Sequence, residues 1–291
     1  MKSLFDGVGV ALVTPFLDNK IDFSSLQKLL EKCISEGADA IVALATTGEA
    51  ATISFAERKQ VILFCKKVIA QRAKLIVGTG QNNFSVCKKL TRQAKSLGAD
   101  GCLVVTPYYN KTTQNGLIKF YEELAKIKFP IIMYNVPART GLNLELSTIE
   151  KIISSNPFVF GIKESTCDIN RIIKLHKICK DKIAIYSGED DLNFLFYCLG
   201  GNGTISVTAN AYCKQVKEVF SACANEKLKL GLSKQNLLSN INSLMFCETN
   251  PVPIKYALHK LNIISSPQVR MPLVQLEISH KAMIDETINR P

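Results

Sequence analysis

The chain has 291 residues, 47% of them hydrophobic, enough to bury a substantial core as one large α/β barrel or as two smaller domains, and this excludes a disordered chain. Its formal charge of +11 is scattered in pairs such as Lys66-Lys67 and Lys88-Lys89 on helix-like stretches. Nucleic-acid binding would want a concentrated basic stripe with interleaved aromatics, and neither is present, although a mild positive field still suits the steering of anionic substrates.

The opening MKSLFDGVG holds no apolar segment long enough for a signal peptide or a membrane span, so a cytoplasmic protein is expected. From there to about residue 224, short β-branched runs alternate with amphipathic stretches of helical period. The runs are GVGVALVTP, AIVALATT, KLIVGTG, GCLVVTP, PIIMYNVP, VFGIKES, IAIYSGE and GTISVTA. Between them, stretches such as FSSLQKLLEKCISEG, FAERKQVILFCKKVIAQR and TQNGLIKFYEELAKI are long enough to be crossover helices linking parallel strands. The pattern predicts a (β/α)8 TIM barrel over residues 1–224. SEGADAIVAL and SLGADGCLVV repeat one helix end, turn and strand, with Gly37 and Gly98 suited to a left-handed helix C-cap. From residue 225 the strand signals stop. LKLGLSKQNLLSNINSLMF, PVPIKYALHKLNI and PLVQLEISHKAMIDETI read as helices, so residues 225–291 are expected to form a small C-terminal helical domain.

In a barrel of this kind the chemistry lies where strands end and their loops begin. Strand alternation in VFGIKES places Val159, Gly161, Lys163 and Ser165 on one face and Phe160, Ile162 and Glu164 on the other. Phe160 and Ile162 suit the helix-packed outside, which turns Lys163 inward, with Gly161 below it leaving room. A lysine in a barrel interior is desolvated, which favours the neutral, nucleophilic amine. The plainer alternative is an ion pair with Glu49 or Glu189. Other strand ends add Thr46, Thr47, Gly48 and Glu49, then Tyr108 and Tyr109, Tyr134 and Arg139, and Ser187 and Gly188. Tyrosine relays protons, threonine hydroxyls with glycine amides hold a carboxylate, and an arginine fork holds a second one. These are parts for joining a keto acid to another acid.

Competing chemistries lack their motifs. His176, His259 and His280 fall in helical stretches without HxxxH spacing, which argues against a zinc-dependent aldol site and reads them as surface or interface residues. GTGQNN lacks the final glycine of a dinucleotide fingerprint, and LGGNG precedes a strand and reads as a turn, so no cofactor and no metal are expected. Ten cysteines include no CxxC pair, and Cys33, Cys65, Cys87, Cys102, Cys198 and Cys223 sit among apolar neighbours, as free buried thiols do.

TTGE at 46–49, TPYYN at 106–110, YNVPARTG at 134–141, GIKES at 161–165, SGED at 187–190 and SVTAN at 206–210 together closely resemble the dihydrodipicolinate synthase family of pyruvate-dependent class I aldolases. The resemblance spans essentially the whole chain, including TNPVPIKYAL in the C-terminal part. It implies that Lys163 forms an imine with pyruvate, which gives an enamine that attacks aspartate β-semialdehyde. It further implies a proton relay of Thr46, Tyr134 and Tyr109, the last reaching in from a neighbouring subunit. Thr47 matches a pyruvate-carboxylate contact, Arg139 sits near the carboxylate of the aldehyde, and backbone at Gly188 and Ile205 lines the site. A homotetramer built as a dimer of dimers is implied. Relatives with the same lysine, such as N-acetylneuraminate lyase and the aldolases for 2-keto-3-deoxygluconate and 4-hydroxy-2-oxoglutarate, are the alternatives, and a non-catalytic keto-acid-binding barrel is a further one. The sialic-acid lyases typically read STGE and lack the arginine of YNVPARTG, whereas Thr46 and Arg139 are both present here.

Many bacterial members are inhibited by lysine at a subunit interface, through a glutamate and a histidine among other groups. The matching positions here are Val86 and Arg58, with Phe55 at a second histidine position, while Asn82, Ala51 and Tyr108 remain. A lost carboxylate and a gained arginine imply weak or absent feedback inhibition.

Overall fold

Each of the eight β-branched runs becomes a strand in the computed structural model, which describes residues 2–288. β1 (Gly7–Ala11) is followed by a hairpin of β2 (Phe16–Leu17) and β3 (Lys20–Ile21), then by α1 (Phe23–Ser35), β4 (Ala40–Ala43), α2 (Phe55–Ile69), β5 (Lys74–Gly78), α3 (Phe84–Ser96), β6 (Gly101–Val105) and α4 (Gln114–Ala125). Next come β7 (Ile131–Asn135), α5 (Pro137–Thr140), α6 (Leu146–Ser155), β8 (Val159–Glu164), α7 (Ile169–Cys179), β9 (Ala184–Ser187), α8 (Asn193–Cys198), β10 (Gly203–Ser206) and α9 (Ala209–Ala224). β1 and β4 to β10 pair in parallel and close on themselves, β1 bonding to both β4 and β10. This is a (β/α)8 barrel. The strands are continuous apolar runs because helices cover the outside while side chains fill the inside.

The GAD repeat has a physical role. Gly37 and Gly98 take positive φ (95° and 81°) at their helix ends, as a left-handed cap requires. The aspartate that follows each one then accepts from a neighbouring strand, Asp39 from Val8 N at 2.7 Å and Asp100 from Leu75 N at 2.9 Å. Helix starts carry matching caps. Ser54 and Glu57 form a reciprocal capping box on α2, and Asp22, Asn83, Thr113 and Asp168 accept from first-turn amides of α1, α3, α4 and α7.

Beyond α9, α10 (Leu228–Leu244) packs on α9, and α11 (Val252–Lys260) and α12 (Ile278–Ile288) lie against this pair. The stretch PLVQLEISHKAMIDETI is helical only from Ile278. Its first part runs in irregular backbone, since Leu276 is buried, Leu273 lines a cavity over the barrel mouth, and the Glu277 amide is taken by Glu248 at 2.9 Å. The cysteine expectation needs correction at two positions. All ten thiols are free, but Cys198 at the end of α8 is exposed and Cys223 is half-buried. Among the described residues no helix is long and apolar enough to cross a membrane.

Candidate active site

The β8 alternation places Lys163 as expected. In register it stands beside Tyr134 on β7 and Tyr186 on β9. Its side chain enters the barrel mouth with 5% exposure, and Nζ lies 4.6 Å from the centroid of the Tyr134 ring. Beneath it, Tyr186 stacks on Phe5 at 4.4 Å and fills the lower barrel. Gly161 therefore makes room for Tyr186, whose ring carbon would lie 2.8 Å from an added Cβ. The glycine that makes room for Lys163 is Gly188, where an added Cβ would sit 2.8 Å from Lys163 Cε and 1.9 Å from Ser165 Oγ.

A cavity of about 50 Å3 opens at Lys163, with Thr46, Thr47, Tyr134, Arg139 and Gly188 among its walls. These residues come from the ends of four strands, β4, β7, β8 and β9, whereas the end of β6, with Tyr108 and Tyr109, does not line this cavity. Arg139 is delivered by α5, a single turn with proline at its first position and Gly141 as left-handed cap. Thr47 is buried and accepts from Asn250 Nδ2 at 3.0 Å. Ile205 is fully buried in β10, and the residue of that segment lining the cavity is Val207. Ser165 Oγ and Asn250 Oδ1 are buried at this wall without a hydrogen-bond partner. Asn250 and Phe246 come from beyond the barrel and were not read as site residues, although Asn250 lies within TNPVPIKYAL.

Two residues stand apart from this cluster. Tyr109 does not approach Lys163 within its own chain: it is 90% exposed, with φ of 70°. Glu49 turns away and pairs with Lys255 at 2.6 Å, so it is not the counter-ion of Lys163. Ala51 and Tyr108 line a second, mostly apolar cavity of about 270 Å3 that shares Thr46, Tyr134 and Arg139 with the first. Tyr108 donates to Gln81 Oε1 at 2.8 Å. Phe55 and Val86 are exposed, Asn82 is half-buried, and Arg58 is buried with Nη2 on the Gly78 carbonyl. Burial pushes the Arg58 guanidinium down to about 10, and its Nε has no hydrogen-bond partner.

Glu189 is the electrostatic feature the sequence reading named only as a possible counter-ion. It lines the Lys163 cavity, and burial pushes its carboxyl up to about 7 against the opposing pull of Lys163. A carboxyl raised above its unfolded value of 4.5 favours folding below that pH, and the contribution is lost as pH rises through about 7. Glu189→Gln is therefore expected to gain up to ~3 kcal/mol relative to the parent on going from pH 4 to pH 8. Urea unfolding of both proteins at the two pH values checks this, and parallel pH dependences would refute it.

On the outer face of the same strands, Glu164 accepts from Arg171 Nε and Nη2 at 3.0 Å, from Asn135 at 2.9 Å and from the Thr166 amide. The three histidines lie partly buried on α7, α11 and α12. His280 Nδ1 is 2.7 Å from Glu248, and with Glu277 these form the one trio of potential metal ligands among the described residues. None of the three lines the Lys163 cavity.

A closed parallel barrel with its polar groups gathered at the carboxyl ends of the strands around an interior lysine has the form of a class I lyase. The chain belongs to the dihydrodipicolinate synthetase family, whose sequence model matches residues 4–290. It is 43% identical over 277 residues to the 4-hydroxy-tetrahydrodipicolinate synthase of Clostridium novyi, covering 94% of this chain and 93% of that protein. The crystal structure of dihydrodipicolinate synthase from Aquifex aeolicus superposes with a TM-score of 0.96 at 36% identity, over 98% of both chains. The chloride-inhibited dihydrodipicolinate synthase of Acinetobacter baumannii, solved with pyruvate, does so with a TM-score of 0.95 at 39% identity, again over 98% of each.

Proposed function

We propose that this chain condenses pyruvate with L-aspartate β-semialdehyde to give 4-hydroxy-tetrahydrodipicolinate, the step that commits carbon to diaminopimelate and lysine. The observation that carries the reading is the single cavity walled by Lys163, Tyr134, Thr46, Thr47 and Arg139. The unprotonated Lys163 amine adds to the pyruvate carbonyl carbon, and loss of water leaves an imine. The imine draws electrons from the methyl carbon, so a proton leaves without a metal and an enamine forms. Thr47 and neighbouring backbone hold the pyruvate carboxylate, while Thr46 and Tyr134 pass protons. The enamine carbon then attacks the aldehyde, whose carboxylate pairs with the Arg139 fork and whose oxygen takes a proton from the relay. The semialdehyde's own amino group adds to the re-formed imine carbon and expels the Lys163 amine, closing the ring. The pyruvate bound in the A. baumannii relative supports the choice of first substrate.

The exposure of Tyr109 suits a residue that serves another copy of the chain. The reading therefore includes a dimer in which each Tyr109 completes the partner's relay, and a dimer of such dimers in the cytoplasm. It also treats residues 1–224 as the barrel domain and 225–291 as its helical appendage.

Turnover with pyruvate and the semialdehyde, coupled to the next reductase and run beside N-acetylmannosamine, tests the whole. Activity with the semialdehyde alone is expected. Activity with the amino sugar alone would make the chain a sialic-acid-type lyase, and activity with neither would leave a keto-acid-binding barrel.

Arg139→Ala is expected to raise the semialdehyde KM by about 30-fold to 100-fold, the effect of losing a charge-assisted pair worth ~2–3 kcal/mol, while the pyruvate KM changes little. Equal shifts in both would assign Arg139 elsewhere. Lysine is expected to leave the rate unchanged well above micromolar concentration, because Val86 offers no carboxylate to its ammonium and Arg58 adds a buried cation nearby. A micromolar inhibition constant from a lysine titration would reject this.

A further inference from the structure

A second lysine is buried more deeply than Lys163 and takes no part in the chemistry proposed. Lys255, on α11, has a side chain with 0% exposure, and its partner Glu49 has 1%. Lys255 Nζ donates to Glu49 Oε1 at 2.6 Å and to the Gln268 carbonyl at 2.7 Å, and it lies 4.1 Å from the centroid of the Phe16 ring. The other Glu49 oxygen accepts the Arg270 amide at 2.9 Å. Burial brings the Lys255 ammonium down to about 8, with the Glu49 carboxylate acting against that fall and Arg270 adding to it. The pair is thus a desolvated one, and such pairs stabilise little by themselves.

Its placement explains its presence better than stability does. Glu49 closes the TTGE turn with left-handed backbone (φ 52°, ψ 39°), a conformation a glutamate rarely adopts unless its surroundings hold it there. The turn is bonded through Glu49 N to Thr46 O at 3.0 Å and Gly48 N to Ala45 O at 3.1 Å. Its Gly48 carbonyl accepts from Thr14 at 2.8 Å. The side chain of Glu49 is drawn towards α11, while Thr46 and Thr47 line the cavity on the other side. A second tie from the same C-terminal stretch, Asn250 to Thr47, lands two residues away.

We infer that Lys255, through its ion pair with Glu49, is a positioning residue that holds the Thr46–Thr47 turn against the Lys163 cavity. The inference rests on the proposed roles of Lys163 and the two threonines. It gives the helices beyond the barrel a function in catalysis: α11 acts on substrate through the turn it tethers, without touching substrate through Lys255.

The test compares two variants with the parent. Lys255→Met/Glu49→Gln removes both charges and leaves no unpaired buried ion, so it is expected to melt within a few degrees of the parent. Glu49→Asp keeps both charges and shortens the tether by one methylene. A control, Lys217→Met, breaks the Lys217–Asp39 pair at the opposite end of the barrel. Each folded protein is assayed for pyruvate KM, for kcat and for the rate at which borohydride traps pyruvate on Lys163. The double variant is expected to show pyruvate KM raised and trapping slowed by about ten-fold each, and Glu49→Asp by about three-fold, with the control unchanged. Parent-like KM and trapping per folded molecule in Glu49→Asp or in the double variant would overturn the inference, as would equal changes in the control. If the double variant fails to fold, Glu49→Asp alone decides. No trapping in the parent would defeat the reading of Lys163 itself and this inference with it, whereas trapping in the parent and unaltered variants would defeat the tether alone.

Discussion

Replacing Lys163 with alanine is expected to abolish the borohydride-trapped pyruvate adduct and to lower turnover by at least ~10³-fold, since the covalent step has no other amine in the cavity. The fold is expected to survive. Lys163 closes no buried ion pair at salt-bridge distance among the described residues, and its loss leaves Glu189 a carboxyl that burial already pushes up to about 7. Lys163→Arg sharpens the test. Arginine keeps a cation near Glu189 but stays protonated and cannot form the imine. Intact-mass spectrometry after incubation with pyruvate and borohydride reads the adduct, and the coupled assay reads turnover. Loss in both variants ties the effect to the nucleophile. Normal turnover in Lys163→Ala would remove the imine from the mechanism, and recovery in Lys163→Arg would reduce the lysine to a charge.

The barrel was legible because its signals are local and repeated. Eight β-branched runs at crossover spacing give eight strands, and alternation within VFGIKES gives the direction of Lys163. What stayed hidden depends on contacts far apart in sequence. Gly161 and Gly188 are equivalent as letters. Which one clears the lysine is decided by the neighbouring strand's Tyr186 and by the return of the chain after β9. Glu49 likewise reads as a site carboxylate next to two site threonines, and only the approach of α11 reveals Lys255 as its partner. Asn250 enters the site by the same route. The hairpin of β2 and β3 was legible and missed, because Asp18 and Asn19, both at positive φ, are the residues such a two-residue turn prefers. The C-terminal stretch misled for a different reason: apolar residues spaced for a helix lie in irregular backbone, with Pro272 and Leu273 lining the cavity over the barrel mouth.

Arg171→Met is expected to destabilise the fold by about 3–5 kcal/mol, because it strands a carboxylate that has no access to water. Glu164 is 0% exposed, and Arg171 supplies two of its hydrogen bonds while a further one reaches the Leu144 carbonyl at 2.6 Å. Asn135 and the Thr166 amide would remain, and neither carries a charge. The consequence reaches the site through the strands. Tyr134 and Lys163 are register partners facing inward, and the next partners along, Asn135 and Glu164, face outward, so Arg171 clamps the outer side of the two strands that present the tyrosine and the lysine. Urea melts should show the loss, and Glu164→Gln/Arg171→Met should recover most of it, since no buried charge is then left alone. If the double variant regains stability but turns over several-fold more slowly, the clamp sets the spacing of Tyr134 and Lys163 as well as holding the fold. If it regains both, the pair is structural. A single variant as stable as the parent would mean that Asn135 and the backbone already neutralise the cost of burying Glu164.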